Sequence, residues 1–380
     1  MMSRPSLRLL ASLLVAVPAA ASAQGTLSTQ GFGYPTGTLS TRTLGTGGAL
    51  AEIDPLSVSN PSAILNLGGT ALYFQAEPEY RKLSAGGQSQ TSTIARYPLI
   101  LGAVRISSSV AASLSATNLL DRSFQTTTHG SVIVGGTPIG STNTFTSDGA
   151  IGDVRLALAW EPATWVHLGV GAHAISGDNR LNSTQVFDDS TRYARLVDTS
   201  TVTYTGNAFS GGIELYAGRA AVFAASYRRG GNLELKRGDT TKADARVPDR
   251  LALSAAFLGI RGTSIAVRTA HDTWSNMAGL SSSGLVIHDS WDSSVGADVL
   301  GPHFAGRSLQ LRAGGRWRTL PFGVGATPVR ERSLSIGAGT LIARGRAALD
   351  VAGIRARRDA TGIDVQETAW TLSVGITVRP

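Results

Sequence analysis

Near the end of the chain, Trp370, Leu372, Val374, Ile376 and Val378 alternate with Thr371, Ser373, Gly375 and Thr377. A period of two is what an extended strand turns into two different faces. Just upstream, Leu309, Leu311, Ala313, Gly315 and Trp317 alternate with Gln310, Arg312, Gly314, Arg316 and Arg318, so guanidinium groups lie opposite the leucines. A strand buried in apolar surroundings on both faces would not carry those charges. Large apolar residues on one face and polar ones on the other predict an all-β fold, a transmembrane antiparallel β-barrel.

The same alternation recurs along the chain. Val154, Leu156, Leu158 and Trp160 oppose Arg155, Ala157 and Ala159, and Val166, Leu168, Val170 and Ala172 oppose His167, Gly169, Gly171 and His173. Strands are expected at 70–78, 98–106, 109–118, 152–160, 165–174, 209–217, 221–228, 251–258, 264–269, 291–299, 309–317, 333–342, 347–355 and 369–378. That is about 14 strands, an even number that closes a barrel with both termini on the periplasmic side. Short connections such as Ser107-Ser108 and Gly218-Arg219-Ala220 alternate with long polar stretches at 119–150 and 177–199. The long stretches are expected to be hairpin extensions and extracellular loops.

Composition narrows the class further. Glycine supplies 45 of 380 residues, charged residues are 16%, and there is no cysteine, which leaves no disulfide, thiolate nucleophile or cysteine-held zinc. No run of 18 or more apolar residues follows the N-terminus, so any membrane crossing is by strands. Arg4 and Arg8, the apolar stretch 9–20 and Ala21-Ser22-Ala23 have the three parts of a secretory signal peptide, expected to span residues 1–23. The net charge of +8 comes from arginines scattered singly. No aromatic-interleaved basic patch points to nucleic acid.

Residues 24–67 lack the two-residue period. They are rich in Gly, Thr, Ser and Pro but contain Phe32, Leu44, Leu50 and Ile53, enough to pack. Asp54-Pro55 and Asn60-Pro61 favour turns. The residues leave two readings open, a periplasmic tail or a plug folded back into the lumen. Gly47-Gly48-Ala49, Asp54 and Asn60-Pro61-Ser62 ahead of the first strand resemble the N-terminus of the FadL/TodX family of outer-membrane transporters for hydrophobic compounds. Later landmarks follow in the order of that family: Val247-Pro248-Asp249-Arg250, Asp272-Thr273-Trp274-Ser275, Asp289-Ser290-Trp291-Asp292, Leu311-Arg312-Ala313-Gly314 and Arg330-Glu331-Arg332. Any one alone is weak, since a tryptophan beside a strand also serves an interfacial girdle. Two departures stand out: Ser62 occupies a position where the family usually has alanine, and the chain ends Val378-Arg379-Pro380 rather than on an aromatic residue.

The resemblance implies a signal peptide at 1–23, an N-terminal hatch at 24–67 and a barrel at 68–380. It implies passive uptake of hydrophobic small molecules, such as long-chain fatty acids or hydrocarbons, by a monomer embedded in outer-membrane lipid, with exit through a gap in the wall. Gly47, Gly48, Asp54, Asn60 and Pro61 become the expected gating residues, and Phe32, Leu44, Leu50 and Ile53 the expected ligand contacts. An apolar ligand gains about 0.8 kcal/mol per buried methylene, so capture requires apolar surface and shape more than reactive groups. Two other readings remain: a porin whose inward Arg155, Arg268, Arg312 and Arg316 favour anions, and a barrel that partners protein secretion.

Catalytic and metal chemistry find little support. His167 and His173 share a face, but six residues of strand separate them by roughly 20 Å, too far for one metal. Asp178, Asp188 and Asp189 fall in a loop and define no oxygen cage. There is no Gly-x-Ser-x-Gly elbow and no Walker-type loop, so no catalytic residue, metal or cofactor is assigned.

Overall fold

A computed structural model of the protein describes residues 27–29, 32–280, 285–304, 307–323 and 326–379. The expected signal peptide at 1–23 and Pro380 lie outside the described residues. Sixteen strands follow one another: β1 (Ala71–Ala85), β2 (Gln88–Arg105), β3 (Val110–Asp121), β4 (Phe124–Val134), β5 (Thr137–Ala163), β6 (Val166–Phe187), β7 (Leu196–Ala217), β8 (Ala221–Arg237), β9 (Thr240–Arg246), β10 (Arg250–Phe257), β11 (Thr263–Asp272), β12 (Ser290–Phe304), β13 (Arg307–Thr319), β14 (Val329–Ile342), β15 (Ala347–Ala360) and β16 (Val365–Val378). Fourteen form the wall, each antiparallel to its neighbours, and β1 closes the ring by pairing with β16 from Leu72↔Val378 to Ala85↔Val365. β4 and β9 stand off the ring as extensions, β4 paired with β5 and β9 with β8, while β10 returns directly to β8. Closure matters physically because an open sheet edge cannot be left in hydrocarbon.

The alternation read from the sequence fixes which face is which. On β16 Trp370, Leu372, Ile376 and Val378 are exposed, while Ala369, Ser373 and Thr377 are buried. On β13 Leu311 and Trp317 point outward and Arg312 is buried inside. Outward aromatics gather at two levels, Trp160, Trp165, Phe223 and Phe257 near the short turns and Tyr80, Tyr97, Tyr227, Trp291, Trp317 and Trp370 toward the long connections. Such girdles mark the two interfaces of a bilayer.

Each of the 14 expected strands is present, and several run beyond their expected ends. β1 and β2 continue past the apolar band as a polar ladder that turns at Gly86-Gly87, where φ is +54° and +80°. Positive φ at both turn positions suits the right-handed twist of the hairpin and favours glycine. The stretch at 119–150, expected as a hairpin extension and loop, forms the β4–β5 hairpin. Trp274 lies in a 3₁₀ turn at Trp274–Leu280 and is buried against Phe322, because the segment after β11 folds over the mouth of the barrel.

Ile336 lies outward at the middle of β14 and is 71% exposed to the membrane side. Ile336→Arg is expected to destabilise the barrel by about 2–4 kcal/mol, the range for a cation near the bilayer midplane. Urea titration of protein folded into lipid vesicles measures the loss.

Candidate functional site

Residues 32–67 bond to wall strands on every side of the ring, which places them within it. Thr41 meets Ser373 of β16 at 2.8 Å and Tyr73 of β1 at 2.8 Å, and Gln75 of β1 donates to the Leu39 carbonyl at 3.1 Å. Arg155 of β5 donates to the Val58 carbonyl at 2.6 Å, and Ser226 of β8 donates to Glu52 at 2.6 Å. Arg268 of β11 reaches Glu52 at 3.1 Å, and Arg42 reaches Asp298 of β12 at 3.0 Å. Apolar contacts fill between these bonds: Ala49 and Leu50 against Val222, Ala256 and Ala266; Leu56, Val58 and Leu67 against Tyr73, Leu99 and Leu101; Ile64 and Leu65 against Ala111 and Ala159.

Local sequence explains how the segment turns so often within a narrow space. Helix α1 (Thr41–Gly45) starts at Ser40, whose hydroxyl accepts from the Thr43 amide. Such a cap satisfies one of the free amides of the first turn. Asp54 Oδ2 accepts hydroxyl bonds from Ser40 at 2.5 Å, Thr43 at 3.0 Å and Ser57 at 2.9 Å, tying both ends of the bend together. Asn60 caps the 3₁₀ turn Pro61–Asn66 and also donates to the Glu52 carbonyl at 2.8 Å. Pro61 suits the first position of that turn because its missing amide would have no partner there.

Wall glycines receive this backbone. A Cβ on Gly212 would fall 1.8 Å from Asn60 Oδ1, and one on Gly169 would fall 2.3 Å from the Ser62 amide nitrogen. One on Gly314 would meet Thr46 at 2.1 Å, and Gly47, with φ of +69°, lies flat against Gly315. The Asn60-Pro61 turn and the Gly47-Gly48 turn therefore seat on opposite parts of the wall only because those strands lack side chains there.

Many of the charges inside the barrel are paired. Around Tyr34 lie Arg81, Arg96, Arg318 and Arg358 and the carboxylates Glu79, Asp121, Glu331 and Glu367. The guanidinium of Arg358 sits 4.7 Å from the Tyr34 ring centre, and Arg96 bonds both Glu79 at 2.7 Å and Asp121 at 2.6 Å. Burial pushes the Tyr34 phenol above its ordinary pKa, against the lowering pull of Arg318 and Arg358. It stays protonated, donating to Glu331 at 3.0 Å and accepting from Arg358 at 2.8 Å and from Arg318. Two further groups tie the segment to the wall, Glu52 with Arg268, Asp292 and Arg316, and Arg42 with Asp298, Arg312 and Asp350. The arginines considered for an anion-selective pore are thus engaged: Arg268, Arg312 and Arg316 with carboxylates, and Arg155 with Val58.

Two spaces flank the Tyr34 cluster. A central cavity of about 120 Å³ lies beside residues 34–39, bounded by Leu44, Leu119, Trp274 and Ile354 as well as Glu79 and Arg96. A second, of about 430 Å³, lies in the wall between β2 and the β4–β5 hairpin, lined by Leu83, Thr93, Ile94, Phe124 and Gln125, with Arg81 and Glu367 at its inner side. It exists because the β2–β3 ladder runs only from Arg105↔Ala111 to Leu99↔Thr117. Beyond Leu99, β2 continues paired with β1, while β3 turns toward β5 across an irregularity at Asn118/Leu120.

The expected ligand contacts fall in different places. Leu44 lines the central cavity; Phe32 packs on Phe322 at 4.7 Å between ring centres, beneath Arg122; Leu50 and Ile53 pack on the β8, β10 and β11 wall. Tyr34 and the arginines around it escaped the sequence reading, since ions brought together from β1, β2, β13, β14 and β15 share no local motif. His167 and His173 are buried; His167 bonds Glu214 at 2.9 Å. His173 links Asp153 at 2.8 Å to Ser210 at 2.9 Å, a serine–histidine–aspartate order that no spacing announced. The adjoining space of about 20 Å³ holds roughly one water, which excludes an acyl substrate. Among the described residues no group of three His, Asp or Glu side chains could hold a metal ion.

A closed 14-strand antiparallel barrel with apolar residues and aromatic girdles on its outer face defines the class of transmembrane β-barrels. Within that class the fold is the one of the FadL and TodX channels. A Pseudomonas aeruginosa FadL homologue superposes with a TM-score of 0.64 at 12% identity, covering 91% of this chain and 99% of that one. The CymD monoaromatic hydrocarbon channel gives 0.58 at 12% identity over 90% and 97%, and the Pseudomonas putida toluene transporter TodX gives 0.57 at 11% identity over 90% and 98%. No family model matches the chain, and no curated protein matches its sequence.

Glu331→Ala would leave Arg318 and Arg358 short of a buried carboxylate partner, and is expected to cost about 3–5 kcal/mol. The temperature at which the folded barrel loses its fast electrophoretic mobility checks this. Gly212→Leu is expected to unseat residues 60–62 while preserving the barrel, read as faster proteolysis within residues 27–67 and higher ion conductance in planar bilayers.

Proposed function

We propose that the chain is an outer-membrane channel for passive diffusion of hydrophobic small molecules, with residues 24–67 as its hatch. The observation that carries this reading is the split in the wall beyond Leu99↔Thr117, beside a lumen that the N-terminal segment fills. A filled lumen blocks polar solutes, and a side opening suits a ligand whose favourable destination is the membrane. Structures of similar fold include a toluene transporter and monoaromatic hydrocarbon channels, which supports an apolar substrate. Long-chain fatty acids belong to the same substrate class and are proposed with aromatic hydrocarbons.

In this reading a ligand enters from the long-loop end, contacts Leu44 and Leu119 in the central cavity and passes the Tyr34 cluster to the gap. Glu79 and Arg96 border the cavity, Arg81 and Glu367 border the gap, and all four belong to that cluster. Tyr34 is thus the proposed latch: a shift of the hatch that withdraws its ring loosens the arginines between the two spaces. Gly47, Gly48, Asp54, Asn60 and Pro61 hold the hatch in register, the glycines and the Asn-Pro turn against the wall and Asp54 across the bend.

With no native cysteine, Thr93→Cys and Gln125→Cys can be bridged across the gap by a short bis-maleimide. Uptake of a radiolabelled fatty acid and of toluene is expected to fall about tenfold on bridging, while either single variant retains it. Unchanged uptake after complete bridging refutes the side route. Fast, size-limited sugar flux through the unmodified protein in liposomes would sink the plugged-channel reading itself.

A further inference from the structure

The outer face of the barrel carries a set of cations that the lumen does not use. On β14 Arg330 and Arg332 flank the inward Glu331, on β15 Arg355 and Arg357 flank the inward Ala356, and on β1 Lys82 follows the inward Arg81. All five are exposed, on the membrane-facing side of the wall. Register makes them neighbours: Arg332 lies directly opposite Arg357, Leu334 opposite Arg355, and Arg357 and Lys82 both face Thr368 of β16. Strands repeat every ~4.8 Å, so Arg332, Arg357 and Lys82 span roughly 15 Å across the wall.

The inward and outward cations of these strands differ in one respect. Inside, Arg81 and Arg358 are each joined to carboxylates. Outside, none of the five forms an ion pair among the described residues, and Asp359, opposite Arg330, is the one acidic side chain on the outer face of these three strands near them. Like charges directly opposed across strands repel, which disfavours the Arg332–Arg357 pair unless an anion lies over it. Aromatics lie beside the set: Trp317 is opposite Arg332, and Trp370 faces Tyr80 and carries the Arg355 guanidinium 5.4 Å from its ring centre. The cations thus sit at and just beyond the aromatic girdle, on the side of the long connections. That is head-group depth in the outer leaflet.

We propose that Lys82, Arg330, Arg332, Arg355 and Arg357 form a binding site for the phosphorylated glycolipid of the outer leaflet, its sugar phosphates over the guanidinium groups and its acyl chains along Leu334, Ile336 and Leu372. Arginine matches phosphate through paired N–H donors, and a cluster of cations beside a bilayer is how proteins hold anionic head groups. The exposed apolar residues directly beneath supply the surface that a free phosphate would not need. The site lies on the outer wall and does not depend on what passes through the lumen.

Native mass spectrometry of the full protein with diphosphoryl lipid A is the test, using lipid A stripped of both phosphates and inorganic phosphate as comparisons. One diphosphoryl lipid A is expected to stay bound per barrel, dephosphorylated lipid A to bind about tenfold more weakly or worse, and millimolar phosphate not to displace the lipid. Arg332→Gln with Arg357→Gln is expected to lower occupancy about tenfold, and Lys82→Gln with Arg355→Gln, made separately, to lower it as well. Arg229→Gln, an exposed arginine elsewhere on the outer wall, is expected to leave it unchanged. Retained electrophoretic heat-modifiability identifies the variants that fold. Equal binding of both lipids, full displacement by phosphate, or unchanged occupancy in both folded double variants overturns the proposal.

Discussion

Ring closure is the constraint from which the other features follow. Once β1 pairs with β16, the wall has an inside, which residues 32–67 occupy, and an outside that meets lipid. Outward positions must then be apolar, and inward charges must find partners within a small volume. Wall arginines do so with carboxylates across strands and with Glu52 and Tyr34 of the segment in the lumen, whose Arg42 in turn pairs with Asp298 of the wall. A buried ion set of this kind adds little net stability over an apolar core of equal volume. Its contribution is to fix one seating of the segment, since any other would leave several charges unpaired.

Glycine is the second half of that fit. Where the segment turns at Thr46-Gly47 and at Asn60-Pro61, the wall has Gly314 and Gly315, Gly169 and Gly212, and the two backbones meet without side chains between them. Ions select the seating and the glycines permit the depth. Either device alone would give a looser plug: charges on a bulky wall could not approach, and bare backbone without charges would slide.

The sequence carried the wall almost completely, because inside and outside alternate with a strict period and the whole length of each strand repeats the message. Trp370 to Val378 could be assigned a face residue by residue. The ends of strands were less legible, since at Lys82 to Ala85 the outward positions Lys82 and Ser84 turn polar while Leu83 faces inward, which inverts the alternation. The site was less legible still. Gly47-Gly48 and Asn60-Pro61 announce turns, but nothing in their neighbourhood announces Gly314 or Gly212. Tyr34 gathers arginines from β1, β2, β13 and β15 and Glu331 from β14, and a contact made by closing a ring has no signature at any one point along the chain. Asp153 and Ser210 were not picked out beside His173 because the three meet across neighbouring strands β5, β6 and β7 at separations that no local motif specifies.

The parting of β2 from β3 also reports where the barrel sits in its membrane. From residues 88 to 98 one edge of β2 has no ladder partner among the described strands, so its amides and carbonyls on that side need water or head groups. Hydrocarbon supplies neither, and each unmet backbone group there costs several kcal/mol. The opening therefore cannot lie at the bilayer midplane; it begins at the level of Tyr97 and rises into the polar zone. On the proposed side route, a molecule leaving by it would meet the lipid at the shoulder of the acyl chains, not at the centre of the bilayer.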